Sequence, residues 1–325
     1  MIRRRDFIGL LGGAAAWPLG ARAQQAAMPV VALVFAGSAN DSAERIRTFA
    51  KGLGQTGNVE GQNVKVEPQW LEGRYDRLPS LMADLVRRRV AVIVTPASTP
   101  ASLAAKAATS TIPIVFGVGE DPVGLGLVAS LARPGGNATG FNFLMQEVGA
   151  KRLGLLRELA PKATRVALLV NPSNPASTSQ EEQEAARALG LQIFVANART
   201  SREIDMVFEE LARERPDALL VGADAFFVSR RVQLANLTAR DRIPAIYSQR
   251  DFPVVGGLMS YGTDILDSYN QAGVYAGKIL KGAKPADLPV VQSTRFEFVI
   301  NVQTARLLGI ELPPTLLALA DEVID

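Results

Sequence analysis

A chain of 325 residues is about twice the usual length of a single domain, so two domains of ordinary size are expected. It is 48% hydrophobic and 21% charged, and it contains no cysteine and no histidine. These absences exclude thiol nucleophiles, histidine-based catalytic triads and the usual Cys/His zinc sites. Residues 1–23 hold four of the 35 basic and one of the 32 acidic residues, which leaves 31 of each in the remainder. Without a basic excess, neither nucleic acid nor an anionic membrane is an expected partner.

The first 23 residues have the three parts of an export signal. Arg3–Arg5 form a basic head, an apolar stretch of about 13 residues follows, and Ala21-Arg22-Ala23 is a small-x-small cleavage site. The stretch is too short to span a membrane. We therefore predict a cleaved signal peptide at residues 1–23, and the Arg4-Arg5-x-Phe7-Ile8 spacing favours twin-arginine export over general secretion. The alternative is a buried N-terminal helix, for which three arginines and Trp17-Pro18 are poorly suited.

After this segment, short apolar runs alternate with helical patterns, which is typical of a parallel sheet covered by helices. The first run, PVVALVF at residues 29–35, is rich in β-branched residues and ends in a small polar loop. In the first half of the chain, the pattern predicts strands at 29–35, 63–67, 90–95, 112–116 and 138–143, and helices at 43–56, 76–89 and 102–108.

The pattern then restarts, because RVALLVNPSNPAS repeats the strand-and-loop character of VVALVFAGSAND. It predicts strands at 165–170, 191–195, 218–221, 244–247 and 257–260, and helices at 148–159, 179–189, 203–214 and 228–240. The last stretch is less regular, with a helix at 268–280, an extended segment at 294–301 and a helical piece from Thr304. Two similar α/β halves predict two lobes, with a cleft where the carboxyl ends of their parallel strands face each other.

In the first half, the candidate ligand-binding residues follow the predicted strands: Gly37, Ser38, Trp70, Ser98, Thr99 and Asp121. Thr99 is predicted to cap a helix whose first position is Pro100, and Ser98 precedes it with a second hydroxyl. The free N–H groups there would bind a carboxylate or another anionic end of a ligand, and plain helix capping is the alternative. Asp121 would either accept from a ligand or cap the helix that follows it.

In the second half, the candidates are Asn171, Asp224, Phe226 and Tyr247. Asp224 would hold a ligand ammonium or hydroxyl group, while Phe226 would cover the apolar part of the same ligand. For each aromatic candidate, Trp70 included, packing in the core is the alternative.

The sequence gives no good evidence for a nucleotide-binding motif. Residues 124–129 fit GxGxxA, but a dinucleotide-binding fold needs this motif directly after its first strand, and here it follows the fourth. No GxxxxGK[ST] sequence occurs, so nucleotide hydrolysis is not expected. We predict no catalytic residue, no metal site and no cofactor.

Six stretches of the chain match one pattern: GLGQTGNVEGQNVKVEPQW, GRYDRLPSLMADLV, TIPIVFGVGEDPVGLGLVASLARPGGNATGF, RVALLVNPSNP, GGLMSYG and KILKGAKPADLPVVQSTRFEFVINVQTARLLGIELPPTLLALADEVI. The run DPVGLGLVASLARPGGNATG is the most specific part of them. With these stretches, nearly the whole chain after the signal resembles the ABC transporter substrate-binding family that includes tryptophan- and tyrosine-binding importer components, with the type I periplasmic binding protein fold.

The resemblance implies two Rossmann-like lobes with parallel sheets, joined by a hinge that the chain crosses three times. The implied N-terminal lobe is 28–143 plus about 264–288, and the implied C-terminal lobe is 146–262 plus about 290–325. It also implies a periplasmic protein that is not an enzyme. The expected ligand is a small organic molecule, such as an amino acid or an aromatic compound, and the expected partner is an ABC permease with its ATPase subunits. We expect the mature chain to be a monomer without direct membrane insertion.

By the same resemblance, the Ser98-Thr99 turn looks like the family's carboxylate-binding loop, and Asp224 looks like the acid that faces the ligand amine. The chain departs from the family at Ser98, where Gly is frequent, and at Ala225-Phe226, which replace polar residues. Both departures favour a bulkier or more apolar ligand than a simple amino acid.

Two other functions stay open at this point. A ligand sensor of this fold needs a transmembrane segment or a DNA-binding headpiece, and the sequence shows neither. An exported enzyme would use carboxylates such as Glu120 and Asp121, although adjacent residues rarely converge on one substrate atom. A binding protein is stabilised by its ligand without consuming it, whereas an enzyme turns the ligand over.

Overall fold

The computed structural model describes residues 28–39, 42–174 and 180–325. The predicted signal peptide at residues 1–23 lies outside the described residues. Within the described residues, the strands form one six-stranded and one seven-stranded sheet. Helices pack against both sheets, which confirms the predicted α/β class of two lobes with mostly parallel sheets.

The first sheet belongs to the N-terminal lobe. Its strands are β1 (Val30–Phe35), β2 (Lys65–Trp70), β3 (Val92–Thr95), β4 (Ile114–Val118) and β5 (Ala138–Asn142). They alternate with α1 (Ala43–Gln55), α2 (Leu78–Arg87) and α3 (Thr99–Ala108). All neighbours among these strands are parallel, in the order β5-β4-β3-β1-β2. β2 forms the edge of the sheet, which explains how this strand accommodates Pro68.

The second sheet belongs to the C-terminal lobe. Its first strands are β6 (Arg165–Val170), β7 (Gln192–Asn197), β8 (Ala218–Val221), β9 (Ala245–Tyr247) and β10 (Met259–Thr263). The helices of this part are α4 (Met145–Leu159), α5 (Gln180–Ala188), α6 (Ser201–Glu214), α7 (Ala225–Ser229) and α8 (Arg231–Arg240). The parallel order is β10-β9-β8-β6-β7.

The last part of the chain completes both lobes. It contains α9 (Ile265–Leu280), β11 (Val291–Gln292), β12 (Phe296–Asn301), α10 (Val302–Leu308), α11 (Pro314–Leu319) and β13 (Glu322–Ile324). α9 packs against α1, and β11 pairs with β5, so both belong to the N-terminal lobe. β12 pairs antiparallel with β10, and β13 pairs with β12, in the C-terminal lobe. Over the part that the structure describes, the chain therefore passes between the lobes three times.

Each sheet is buried on both faces. In β1, Ala32 and Val34 belong to one apolar cluster, whereas Val31, Leu33 and Phe35 belong to the cluster on the opposite face. Side chains alternate along a strand, so a continuous apolar run such as VVALVF supplies both faces at once. The strands of the C-terminal lobe separate two further clusters in the same way.

The packing of α9 on α1 depends on two glycines. A Cβ atom at Gly52 would overlap the carbonyl oxygen of Asn270 and lie 2.8 Å from its carbonyl carbon. A Cβ atom at Gly273 would lie 2.7 Å from the backbone nitrogen of Leu53. The two helices therefore approach at a distance that only glycine permits at these positions.

The observed bounds differ from the predicted ones where local geometry overrides the pattern. The helix predicted at 228–240 is two helices, because the chain bends at Arg230 between α7 and α8. α3 begins at Thr99 rather than at 102, and its cap is Ser98 rather than the predicted Thr99, since the Ser98 side chain accepts from the Ala101 N–H. The short strands β11 and β13 have no periodic signal of their own, and they form by pairing with existing sheets.

Candidate functional site

A cavity of about 420 Å³ lies between the two lobes. It is lined by the loops that follow β1, β3 and β4 in the N-terminal lobe, and by those that follow β6 and β8 in the C-terminal lobe. Parallel strands bring their carboxyl ends to one edge of a sheet, so the two sheets present their loops to the same space. The volume falls in the range of small-molecule sites, which is about 300–1,000 Å³.

Asp224 is the most buried carboxylate of the cavity wall. It is 6% exposed and caps α7, where its Oδ1 accepts from the Phe226 N–H at 2.8 Å. The same oxygen accepts from Asn171 Nδ2 at 3.0 Å, and Oδ2 accepts from Asn174 Nδ2 at 2.8 Å. Tyr75 of the N-terminal lobe also points its hydroxyl at Oδ2, over 3.5 Å. The carboxylate is therefore fixed in position by donors from both lobes.

Burial governs the protonation of this group. Loss of hydration raises the pKa of Asp224 above its ordinary value, and the hydrogen bonds from Asn171, Asn174, Phe226 and Tyr75 act in the opposite direction. Burial and the nearby Asp224 charge also raise the pKa of Tyr75, so the phenol remains a donor. A cation placed in the cavity would favour the ionised form of Asp224.

The opposite wall is built on the start of α3. Ser98 caps this helix with its side chain, and its carbonyl oxygen accepts from the hydroxyl of Ser102 at 2.8 Å. The hydroxyl of Thr99 donates to Glu120 Oε2 at 2.6 Å. Glu120 lies in the loop after β4 and lines the cavity. A protein carboxylate is therefore bound at the turn that resembles a carboxylate-binding loop.

Aromatic and aliphatic side chains form the remaining walls. Phe35 stacks on Tyr269 with ring centroids 5.7 Å apart, and both rings line the cavity. Leu103 and Phe143 add apolar surface from the N-terminal lobe, and Val170 adds it from the C-terminal lobe. The site thus combines polar groups at two ends with an apolar body between them, which suits an amphipathic small molecule.

Polar contacts join the two lobes beside the cavity. Arg45 of α1 donates to Gln249 Oε1 at 3.1 Å and pairs with Asp251 at 3.4 Å. Between the first and the second passage, the hydroxyl of Thr263 donates to the carbonyl oxygen of Phe143 over 3.4 Å. These contacts, together with the one between Tyr75 and Asp224, join the two lobes across the cavity.

Five of the predicted site residues lie at or beside the cavity. Gly37, Ser98, Thr99 and Asp224 line it, and Asn171 is bonded directly to Asp224. Ser38 does not line it, but its carbonyl oxygen accepts from the hydroxyl of Ser42, which does.

The other four lie elsewhere. Trp70 lines a second, smaller cavity of about 160 Å³, and its indole N–H donates to the Ser42 hydroxyl at 3.2 Å. Asp121 caps its own turn by accepting from the N–H groups of residues 123 and 124. Phe226 and Tyr247 pack in the core of the C-terminal lobe. The Tyr247 ring stacks on Phe252, and its hydroxyl lies 2.9 Å from that of Thr238.

Several cavity residues are not among the predicted ones: Arg45, Tyr75, Glu120, Asn174, Gln249 and Tyr269. Asn174 and Glu120 follow β6 and β4, and their position after a predicted strand was a usable signal. Arg45 and Tyr269 lie on helices, and Tyr75 lies in a turn before α2. Nothing in the local sequence indicates that these three side chains face the cavity.

A family model described as ABC transporter substrate binding protein matches residues 31–324. The chain belongs to this family. The match confirms the resemblance and the substrate-binding class, and it extends over both lobes and all three passages between them.

Individual relatives agree with the family. A tyrosine-binding protein of Clostridioides difficile (strain R20291) is 29% identical over 265 residues, covering 81% of this chain and 76% of the relative. A structure from Streptococcus pneumonia, described as an ABC domain in complex with L-Trp, has a TM-score of 0.81 at 26% identity. It covers 91% of this chain and 99% of that one. The type I periplasmic binding protein fold is thereby confirmed.

A third relative is a solved structure without a ligand. A ligand-free, open substrate-binding protein with adhesive properties from Clostridium difficile is also 26% identical, over 88% of this chain and 96% of that one. Its TM-score is only 0.62, against 0.81 for the complex with L-Trp.

Across residues 28–39, 42–174 and 180–325, no helix combines the length and the apolar character needed to cross a bilayer.

Proposed function

We propose that this protein is the periplasmic binding component of an ABC importer, which holds a small organic molecule between its lobes and passes it unchanged to the permease. The observation that carries the proposal is the buried Asp224 carboxylate, fixed by Asn171 and Asn174 in the wall of a cavity shared by both lobes. A carboxylate in this setting pairs with a protonated amine of the ligand. The family match and the export signal predicted at residues 1–23 support the importer role and the periplasmic location.

The proposed mechanism is closure of two lobes around the ligand. The N-terminal lobe, 28–143 with 264–288, would contribute Gly37, Ser98 and Thr99, and the C-terminal lobe, 146–262 with 290–325, would contribute Asp224 and Asn171. A ligand that contacts both lobes stabilises only the closed arrangement, so its binding shifts the population towards that state. A permease can then distinguish the loaded protein from the empty one by its shape.

The proposal is tested by thermal unfolding in the presence of amino acids, amines, aromatic acids, purines and short peptides. A ligand should raise the melting temperature in a saturable manner and be recovered unchanged, as checked by mass spectrometry. Asp224→Asn should weaken binding of that ligand about 10- to 100-fold, because a charged hydrogen bond contributes about 1.5–3 kcal/mol.

The matched control is Asp287→Asn, which makes the same chemical change at an exposed position outside the cavity wall. It should bind the ligand as the unaltered protein does. Appearance of a product, or equal ligand affinity in Asp224→Asn and Asp287→Asn, would contradict the proposed function.

A further inference from the structure

The charged side chains of the cavity are mostly acidic. Among the described residues that line it, Glu120, Glu182 and Asp224 are acids, and Arg45 is a base. The two internal stretches outside the described residues, 40–41 and 175–179, contain no lysine or arginine that could offset this excess of acids. An acidic excess in an enclosed site attracts cations and repels anions.

Two of these four groups already face an opposite charge within the protein. Arg45, whose side chain is 15% exposed, pairs with Asp251. Glu182 interacts with the buried guanidinium of Arg152, whose pKa is lowered by burial to about 10 and which therefore stays charged at neutral pH. Glu120 and Asp224, by contrast, receive their hydrogen bonds from neutral donors, namely hydroxyl, amide and backbone N–H groups. These two carboxylates set the charge that a ligand meets.

Glu120 engages a hydroxyl donor that an anionic ligand group would need at this wall. The start of α3 favours an anion through the helix dipole, and the hydroxyl of Thr99 is a donor at the same turn. The Glu120 carboxylate supplies that anion through its 2.6 Å hydrogen bond from Thr99. A ligand carboxylate would have to displace Glu120 from Thr99 and then remain beside a like charge.

We propose that the ligand is an organic cation without a free carboxylate, with an amine at Asp224, an apolar body between the lobes and hydrogen-bond donors rather than acceptors towards Glu120. This inference rests on the proposed function and narrows its substrate class. The proposed ligand differs from the amino acid that the resemblance implies, because a zwitterionic amino acid would place its carboxylate at the Ser98-Thr99 turn. Phe35, Leu103 and Tyr269 provide the apolar surface for the body of such a ligand.

Matched pairs of compounds that differ only in the carboxylate test the proposal. The probes are tyramine with tyrosine, tryptamine with tryptophan, agmatine with arginine and cadaverine with lysine, each titrated into the purified protein by calorimetry. For the pair that fits the cavity best, the amine should bind at least about tenfold more tightly than the amino acid, since like charges at close range in a partly buried site repel strongly. Tighter binding of the amino acid would overturn the inference and leave the proposed function intact.

A variant identifies the cause of the preference. Glu120→Gln keeps an acceptor for Thr99 and removes the charge, so it should reduce the preference for the amine at least about tenfold. Glu210→Gln, an exposed position on α6 outside the cavity wall, is the matched control and should keep the preference. An unchanged preference in a folded Glu120→Gln protein would overturn the role given to Glu120. Failure of every compound to bind would count against the proposed function itself, and against this inference with it.

Discussion

The close approach of α1 and α9 predicts that adding one methyl group at Gly52 destabilises the N-terminal lobe. A new Cβ atom would overlap the carbonyl oxygen of Asn270 and lie 2.8 Å from its carbonyl carbon. Carbon atoms in contact are normally about 3.5–4.0 Å apart, so the helices would have to separate by about 1 Å. Overpacking of this kind typically costs about 1–3 kcal/mol.

The same substitution on the same helix provides the control. Gly54 has no atom within 4 Å of an added Cβ, so Gly54→Ala meets no steric barrier. Alanine is favoured over glycine within a helix by up to about 1 kcal/mol, and this gain applies to both variants. We expect Gly54→Ala to be neutral or more stable, and Gly52→Ala to be less stable by about 2 kcal/mol.

Thermal unfolding followed by circular dichroism measures the difference. A loss of about 2 kcal/mol corresponds to a fall in melting temperature of about 4–8 °C for a lobe of this size. If Gly52→Ala and Gly54→Ala melt within about 1 °C of each other, the helices can separate freely and the steric reasoning is wrong.

Two further predictions concern the cavity. Arg45→Met removes the contacts to Gln249 and Asp251 across the lobes, so the ligand-free variant should be more open. X-ray scattering should give it a larger radius of gyration than the control Arg47→Met, which alters an exposed residue of α1. Because burial raises the pKa of Asp224 above its ordinary value, part of this group is protonated as the pH falls towards that raised value. A cationic ligand should therefore bind more weakly at acidic pH, and its binding should release protons. Calorimetry in buffers of different ionisation enthalpy measures this proton release, and Asp224→Asn should abolish it.

The architecture could be predicted from the sequence because apolar runs and helical periods are local signals. The run at residues 29–35 becomes β1, and the repeat of the pattern in the second half becomes the second sheet. The small strands β11 and β13 carry no such signal, since each exists only through a partner that is distant in the chain.

The candidate site was predictable only where its residues follow a predicted strand. Ser98 and Asp224 have that position, and both line the cavity. Tyr247 also ends a strand, but the pleat directs its side chain into the core, and the facing direction depends on a register that the sequence does not reveal. Arg45 and Tyr75 reach the cavity because the two lobes close on each other, which no local pattern encodes.

The interleaved path of the chain also determines when the protein can finish folding during synthesis. The sheet of the N-terminal lobe lacks its last strand until residues 291–292 have been made, and the C-terminal sheet lacks β12 and β13 until residues 296–324 have been made. Until then, β10 presents an open edge that can pair with other chains. A chain cut at the first passage between the lobes would yield one fragment that lacks β11 of its own sheet, and a second fragment that carries β11 and α9 beside a complete C-terminal sheet.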